Sequence, residues 1–562
     1  MITIHPHATH RNISLINLIK ICLLVFFLGY CITFVTSAQH IEIKRNTVVT
    51  WVFFKDKGNV SASDIESYVK SLPQNVRARR AKVNPSNIAD ERDLPVNKYY
   101  VDKVIALGAR HRATTRWLNG ISIEATDEII DAIEQLPFVK EVKIINPPKK
   151  QLNLIDSGEN TLQGRLPYGS SKSQLKQINV TALQNMGYSG KGVIICVIDS
   201  GFKTTHEALK SVKVIDEHDF VNDDGETADE AGDYGGQDAH GTEVLSVIGG
   251  FKKGNLIGPA YNAKYLLAKT EDMASEFPVE EDYWLEAVEW ADEKGAEIIS
   301  SSLGYYDFED GSSYTFEDLD GETATVTKAA NIAAEKGILV VNSAGNGNLM
   351  PPADGKHLIA VGAVEVNGDL WQDSGSGPTY DGRVKPDVVA RGFETYCADP
   401  NNNNKYLYKT GTSFATPLVA GLAALLLEAH PDWTQDKIRE AILNTSDRSS
   451  SPDNSFGYGI PNGVSALKYA LSITTEKLPA AKADRKYIAK LNASGKSDKL
   501  IWSIVDGSGL LPSGLTMSKS GVISGKPAKI TSGQIYTFTV KASDSGVPGK
   551  EITKELSIKV KP

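Results

Sequence analysis

Cysteine is scarce in this chain. Four occur in 562 residues, and two of them, Cys22 and Cys31, lie in an apolar segment near the N-terminus. Cys196 and Cys397 are left for the rest, which excludes a fold stapled by a disulfide framework. Cys196 stands within the apolar run "GVIICVID", where a thiol serves as a small core residue. A basic excess is also missing. The 60 Lys and Arg face 69 Asp and Glu, for a net charge of −9, which excludes a general nucleic-acid binder. No G-x-S-x-G elbow occurs, which argues against an esterase of the lipase type. The apolar run "ICLLVFFLGYCITFV", Ile21 to Val35, is shorter than the ~20 residues a membrane-spanning helix needs.

That run is informative in another way. Arg11 and Lys20 precede it, and the small residues Thr36, Ser37 and Ala38 come after it. A charged start, a short apolar core and a small-residue cleavage site make a secretory signal peptide over 1–38, cut after Ala38. The mature chain is then expected to be secreted, in the medium, in the periplasm or at the cell surface, without a membrane span.

Beyond it the chain divides into three units. Residues 39–150 hold "RWLNGISIEATDEIIDAIEQLPFVKEVKIIN". Ile121 and Ile123 alternate with polar residues, as in a half-buried strand. Asp127 is placed to cap a helix whose apolar positions Ile129, Ile130, Ile133 and Leu136 recur at helical spacing. Pro137 ends it, and "VKEVKII" reads as a second strand, giving a small α+β unit. Residues 151–175 are polar and Gly/Ser-containing, the composition of an exposed, cleavable linker. From 176 to 472 the pattern changes. "GVIICVID", "AKYLLAK", "AEIISSSL", "GILVVNSAG" and "HLIAVGAV" are apolar throughout and alternate with helical runs such as "EDYWLEAVEWADEKG" and "TKAANIAAEKG", each closed by a C-capping Gly. That is an α/β unit with a parallel sheet covered by helices on both faces. From 480 to 562, short alternating runs separated by Gly, Pro, Ser and Asp turns give a β-sandwich.

In a parallel sheet, sites form at the carboxyl ends of the strands. Four segments of the α/β unit put chemistry there. "VIDSG" ends the first strand on Asp199. "QDAHGTEVLSVIGG" places His240 at a helix start, with Gly241 beside it for close approach. "ILVVNSAGNGN" turns through Asn346 at a strand end. "YKTGTSFATPLVAGLAALLLE" sets Ser413 at the head of a long helix of small and apolar residues. Each has a plain structural reading: Asp199 and Asn346 in turns, His240 in a structural role, Ser413 as an N-cap. Together they supply a nucleophile, a base, a group to orient the base and a donor to a developing oxyanion.

The order Asp199, His240, Ser413 is that of subtilisin. With "HGT" at 240–242, "SSLG" at 301–304, "SAGN" at 343–346, "KPDV" at 385–388, "GTSFATP" at 411–417 and "GYGIPN" at 457–462, residues 176–472 resemble the subtilisin-like serine proteases. The resemblance implies a triad of Asp199, His240 and Ser413. It implies Asn346 and the Ser413 amide as oxyanion donors, and Ser302, Leu303 and Gly304 as a wall of the substrate cleft. It also implies protein or peptide substrates, with no cofactor needed for catalysis. "WLNGISIEATDEIIDAIEQLPFVKEV" resembles the propeptides of this family, which implies a zymogen cut between about 147 and 175, with its own propeptide as inhibitor. "LPSGLTMSKSGVISGKP" and "YTFTVKASDS" are similar to Ig-like modules of secreted bacterial proteins. A monomer is expected.

Two acidic stretches depart from the simpler members. "YYDFEDGSSYTFEDLDGETATVT" comes after "SSLG", and its Asp318 and Asp320 are candidate oxygen ligands for a structural Ca²⁺, against a solvated acidic loop. "NDDGETADEAGDYGGQD" matches no complete calcium loop and reads as solvated surface. Asp354 is a candidate for selecting a basic residue on the substrate. The competing functional reading is an inactive member of the fold that uses its cleft for binding or adhesion.

Overall fold

A computed structural model of the chain describes residues 47–145, 166–309, 311–469, 472–473, 475–494, 500–544 and 551–562. The expected signal peptide and residues 151–165 of the expected linker lie outside the described residues. From 166 onward the chain is packed, with Tyr168, Ser171 and Leu175 buried. The last part of that linker, 166–175, therefore belongs structurally to the unit after it.

In the first unit, β1 (Thr47–Phe54), β2 (Arg110–Thr115), β3 (Gly120–Thr126) and β4 (Val139–Ile145) form an antiparallel sheet in the order β2-β3-β1-β4. One face carries Val52, Phe54, Ile121 and Ile123 onto Ile130 and Ile133 of the helix Asp127–Glu134. Thr126, not Asp127, is the N-cap residue of that helix; Asp127 is its first residue and sits in the first turn, where a negative charge suits the helix dipole. β3 also differs from a half-buried strand. Ser122 is as fully buried as Ile121 and Ile123, because the sheet's second face is covered as well. On that face Trp51, which pairs with Ser122, joins the core of the next unit.

The α/β unit is built on a seven-stranded parallel sheet of β5 (Ile194–Asp199), β6 (Lys213–Asp219), β9 (Lys264–Lys269), β10 (Ile298–Ser301), β11 (Leu339–Ser343), β12 (Ile359–Val364) and β13 (Val388–Arg391), in the order β13-β12-β11-β10-β5-β9-β6. Two-residue strands β7 (Phe251–Lys252) and β8 (Leu256–Ile257) pair apart from it. β5 is central, and its alternate side chains enter opposite layers. Ile195 and Val197 pack in one core with Val244 and Leu418, and Cys196 and Ile198 in the other with Trp284 and Ala329. This is why the strand is apolar throughout. β6 is an edge strand of mixed burial, so its sequence "KVIDEHD" carries no continuous apolar run.

Five helices position the site residues and the first unit: α1 (Gln74–Val83) of the first unit, and α2 (Ala239–Gly249), α3 (Val279–Lys294), α4 (Thr325–Glu335) and α5 (Thr412–Ala429). Residues of α2 and α5 fill one layer, and residues of α3 and α4 the other. α3 ends on Gly295 at φ +88, the left-handed stop expected of a capping glycine. α5 is long and apolar enough by composition to cross a membrane, and here it lies inside the core. Gly421 on it meets Pro259 so closely that a Cβ would stand 2.1 Å from the ring.

The C-terminal unit has a sheet of Ala481–Lys482, Glu551–Lys561, Ile535–Asp544 and Leu500–Ile504, and a second of Tyr487–Lys490, Val522–Gly525 and Leu515–Met517. Both contribute to one core around Trp502, Ile523, Phe538 and Ile558.

Candidate active site

β5 ends on Asp199, whose carboxylate is wholly buried. Its Oδ1 accepts from the Ser200 amide at 2.8 Å and from His240 Nδ1 at 2.8 Å. His240 is the second residue of α2, and Gly241 is what lets that helix start come so close. A Cβ at Gly241 would lie 2.1 Å from the Gly201 carbonyl oxygen and 3.1 Å from Asp199 Cβ. With Nδ1–H donated to the carboxylate, Nε2 is the ring nitrogen left to accept a proton. Burial lowers the affinity of His240 for a proton, but the charge and hydrogen bond of Asp199, helped by Glu243, more than offset it. The imidazole is held at about 8, and the Lys409 ammonium opposes the rise. The side chain remains 30% exposed, so a substrate can reach it.

Ser413 is not the cap of α5. Gly411 holds that position, and Ser413 is the second helical residue. Its hydroxyl donates to the Ser302 carbonyl at 3.2 Å, while the Ser302 hydroxyl donates to the Ser413 carbonyl at 2.8 Å. This reciprocal pair ties the head of α5 to the end of β10. The structure thus brings Asp199 and His240 into direct contact, while the Ser413 hydroxyl is bonded to Ser302 and the ring of the next residue, Phe414, meets His240 edge-on at 5.8 Å.

Asn346 lies just past β11. Its Oδ1 accepts from both the Thr412 amide (3.1 Å) and the Thr412 hydroxyl (3.0 Å). An amide N–H can donate only to the oxygen, so the bonds identify which end is which and leave Nδ2 on the open side. Ser302, Leu303 and Gly304 continue from β10. The Leu303 carbonyl is held by Asn342 Nδ2 at 2.8 Å and Ser343 Oγ at 3.0 Å, which fixes the orientation of this wall.

Asp354 is turned inward. It is fully buried, with one oxygen taken by the Gly321 amide at 2.8 Å and the other by Thr327 Oγ1 at 2.6 Å. Asp318 and Asp320 close turns: Asp318 Oδ2 accepts from the Thr315 amide and hydroxyl, and Asp320 accepts from the amides of Glu322 and Thr323 and the Thr323 hydroxyl. The other acidic loop, with Asp219 before it, brings three carboxylates together. One carboxylate oxygen each of Asp219, Asp224 and Glu230 lies within 4.8 Å of the others, a donor set that suits a hard cation. Lys269 already stands beside it, 2.7 Å from Asp219 and 2.8 Å from Asp233. A further buried acid went unread in the sequence. Glu271, two residues beyond the run "AKYLLAK", accepts from the Tyr305 hydroxyl and Thr270 Oγ1, both at 2.7 Å, and burial with the neighbouring Glu276 charge pushes it up to about 8.

Residues 190–459 match the subtilase family, peptidase S8. The chain carries a subtilase domain. Residues 49–160 match the peptidase S8 propeptide domain of Bacteroidota, and 470–560 match the family described as "Putative Ig domain". An alkaline protease of Alkalihalobacillus alcalophilus is 28% identical over 352 residues, 62% of this chain and 79% of its own length. Subtilisin Savinase of Lederbergia lenta is 29% identical over 307 residues, covering 54% of this chain and 99% of its own. Bacillopeptidase F of Bacillus subtilis (strain 168) is 25% identical over 482 residues, 77% of this chain and 32% of its own. This chain is a subtilisin-family serine protease with a propeptide.

The propeptide docks on α3 and α4 of the subtilase domain. Trp51 and Trp117 enter the core that holds Trp284 and Val288. Arg79 and Arg80 of α1 both reach Asp292, Arg80 at 2.5 Å, and Lys336 reaches Asp93 of the propeptide at 2.7 Å. Glu289 accepts from Thr115 Oγ1 at 2.6 Å and the Trp117 amide at 3.1 Å.

Proposed function

We propose that Ser413, His240 and Asp199 cleave peptide bonds through an acyl-enzyme, and that the chain is a secreted zymogen which processes itself at this site. The observation that carries the reading is the bond from His240 to the buried Asp199 carboxylate, with Phe414, the residue after Ser413, against the imidazole and Thr412, the residue before it, fixing the Asn346 amide. An extended segment of a protein substrate lies along Ser302–Gly304 as an added strand. The Ser413 hydroxyl turns from the Ser302 carbonyl to His240 Nε2, loses its proton there and attacks the scissile carbonyl. The oxyanion meets Asn346 Nδ2–H and the Ser413 amide at the head of α5, where the helix dipole favours negative charge. His240 then gives the proton to the leaving amine, while Asp199 holds the tautomer and stabilises the imidazolium. Water repeats the sequence on the ester. Side chains and backbone groups carry every step. For a structural Ca²⁺ the converging carboxylates of Asp219, Asp224 and Glu230 are the candidate ligands beside Asp318 and Asp320.

The deciding experiment is cleavage of a peptide library by the processed chain. Cut sites that disappear in Ser413→Ala support the reading; cuts that persist unchanged end it.

The geometry sets two finer outcomes. The base must be neutral to accept a proton, and His240 is held at about 8. kcat/KM on a peptide amide is therefore expected to climb about tenfold per pH unit below ~7 and to level off above ~9. With Asp199→Asn the partner charge is gone while the burial remains, so the midpoint is expected below the ordinary histidine value. The second outcome concerns the oxyanion. Asn346→Leu is expected to lower kcat by on the order of 10²–10³ with KM nearly unchanged; that magnitude comes from a subtilisin and is the family's own figure. A change confined to KM would remove Asn346 from the role.

A further inference from the structure

We propose that docking of the propeptide takes up a proton at Asp282, so that rising pH loosens the inhibitor from the subtilase domain.

The helix α3 meets the propeptide with two unlike halves. Its C-terminal half is matched in charge: Asp292 holds Arg79 and Arg80, Glu293 holds Arg116, and Glu289 takes the Thr115 hydroxyl and the Trp117 amide. Its N-terminal half is not. Asp282 is fully buried, and neither of its oxygens has a hydrogen-bond partner among the described residues. Facing it from β3 is Ser122 and from β2 is Arg112. The Ser122 hydroxyl and Arg112 Nε are buried without a partner in hydrogen-bonding geometry, yet both groups lie near enough to favour the carboxylate in part. The other charged or titratable groups around it stand on its own helix: Glu281, Tyr283 and Glu286. Glu286 is turned to the Thr114 amide at 3.0 Å, and Glu281 to the Tyr314 hydroxyl at 2.8 Å.

A carboxylate enclosed in this way, without a counter-ion in contact, is costly, whereas the neutral acid is not. Burial pushes Asp282 up to about 8; Ser122 and Arg112 pull against it, and Glu281 and Glu286 add to it. Much of the enclosure is the propeptide itself, since Ser122 and its strand form the cover. With the cover gone, water reaches the group and an Asp returns toward ~4. The docked form thus holds a proton that the undocked form has lost between ~4 and ~8. Docking is therefore strongest at the acid end of that window and weakens by up to about tenfold per pH unit, until no further loss occurs above ~8.

The test uses the full chain with Ser413→Ala, which keeps the propeptide attached; only that choice rests on the nucleophile assignment. Amide-exchange protection of β1 and β3, read by mass between about pH 5.5 and 8, is expected to fall close to tenfold per unit. Adding Asp282→Asn is expected to flatten the profile and raise protection at about pH 8 by at least tenfold. A flat profile in the parent, or an unchanged slope in the double variant, overturns the proposal. Should the double variant not fold, [¹³C]aspartate labelling of the parent decides. A carboxyl signal titrating above about 7 is expected, and its absence is fatal. If the purified parent still cuts itself, a change of mass on incubation shows it. The nucleophile assignment then fails, while the slope is still read on the uncut chain.

Discussion

Ser413→Ala is expected to abolish peptide hydrolysis, lowering kcat by on the order of 10⁶, the loss measured in a subtilisin and so the family's figure. The chain should also accumulate at its unprocessed mass, because the same hydroxyl is assigned to both reactions. The two readouts need not fall together. A chain that is cut near residues 147–175 yet cannot hydrolyse added peptide would mean that another protease matures it, and self-processing would be withdrawn while the triad stood. A variant that keeps casein hydrolysis would withdraw the triad. Mass spectrometry of the secreted protein, beside a peptidase assay, separates the cases.

Asp292→Ala is expected to weaken propeptide docking strongly. Arg79 is 4% exposed and Arg80 2%, and Asp292 meets both from a fully buried position. Removing one member of a buried pair leaves an uncompensated charge at about 3–5 kcal/mol. Arg80 keeps Asp93 at 2.9 Å, which places the expectation at the lower end, roughly a hundredfold weaker docking. In the Ser413→Ala chain this reads as a loss of amide-exchange protection in β1 and β3. Asp282 and Asp292 lie on one helix under one inhibitor. Neutralising the first is expected to tighten docking and neutralising the second to weaken it, so the pair distinguishes a charge that has partners from one that lacks them. Equal effects from both substitutions would remove that distinction.

The parallel sheet was legible because its inner strands are covered on both faces. "VIICVI", ahead of Asp199, must be apolar at every position when Ile195 and Cys196 enter different cores. β6 escaped notice for the opposite reason: an edge strand has a side in water and looks like a loop. The four candidate site residues were legible from their places at strand ends and helix starts, and more firmly from the family's motifs. Their side-chain directions were not. Which way Asp354 points depends on Gly321 and Thr327, some thirty residues away in the chain. Ser122 shows a more general limit. Alternation of Ile with Ser and Glu reads as one face toward protein and one toward water. The polar side of such a strand looks the same when it lies against another unit, and only the folded structure identifies α3 as what covers it.

The strand order has a consequence in time. β5 lies between β9 and β10, and Ile195 pairs with Tyr265 on one side and Ile298 on the other. No short hairpin can start this sheet; its centre closes only after long stretches of chain have been brought together, and such topologies fold slowly. The propeptide lays an independently closed antiparallel sheet against α3 and α4, the helices covering one face of that centre. If it is cleaved off, as proposed, the subtilase domain keeps the sheet but loses the surface that packs against those two helices. The persistence of a protease matured in that way is expected to be set by how slowly it opens more than by how readily it re-forms.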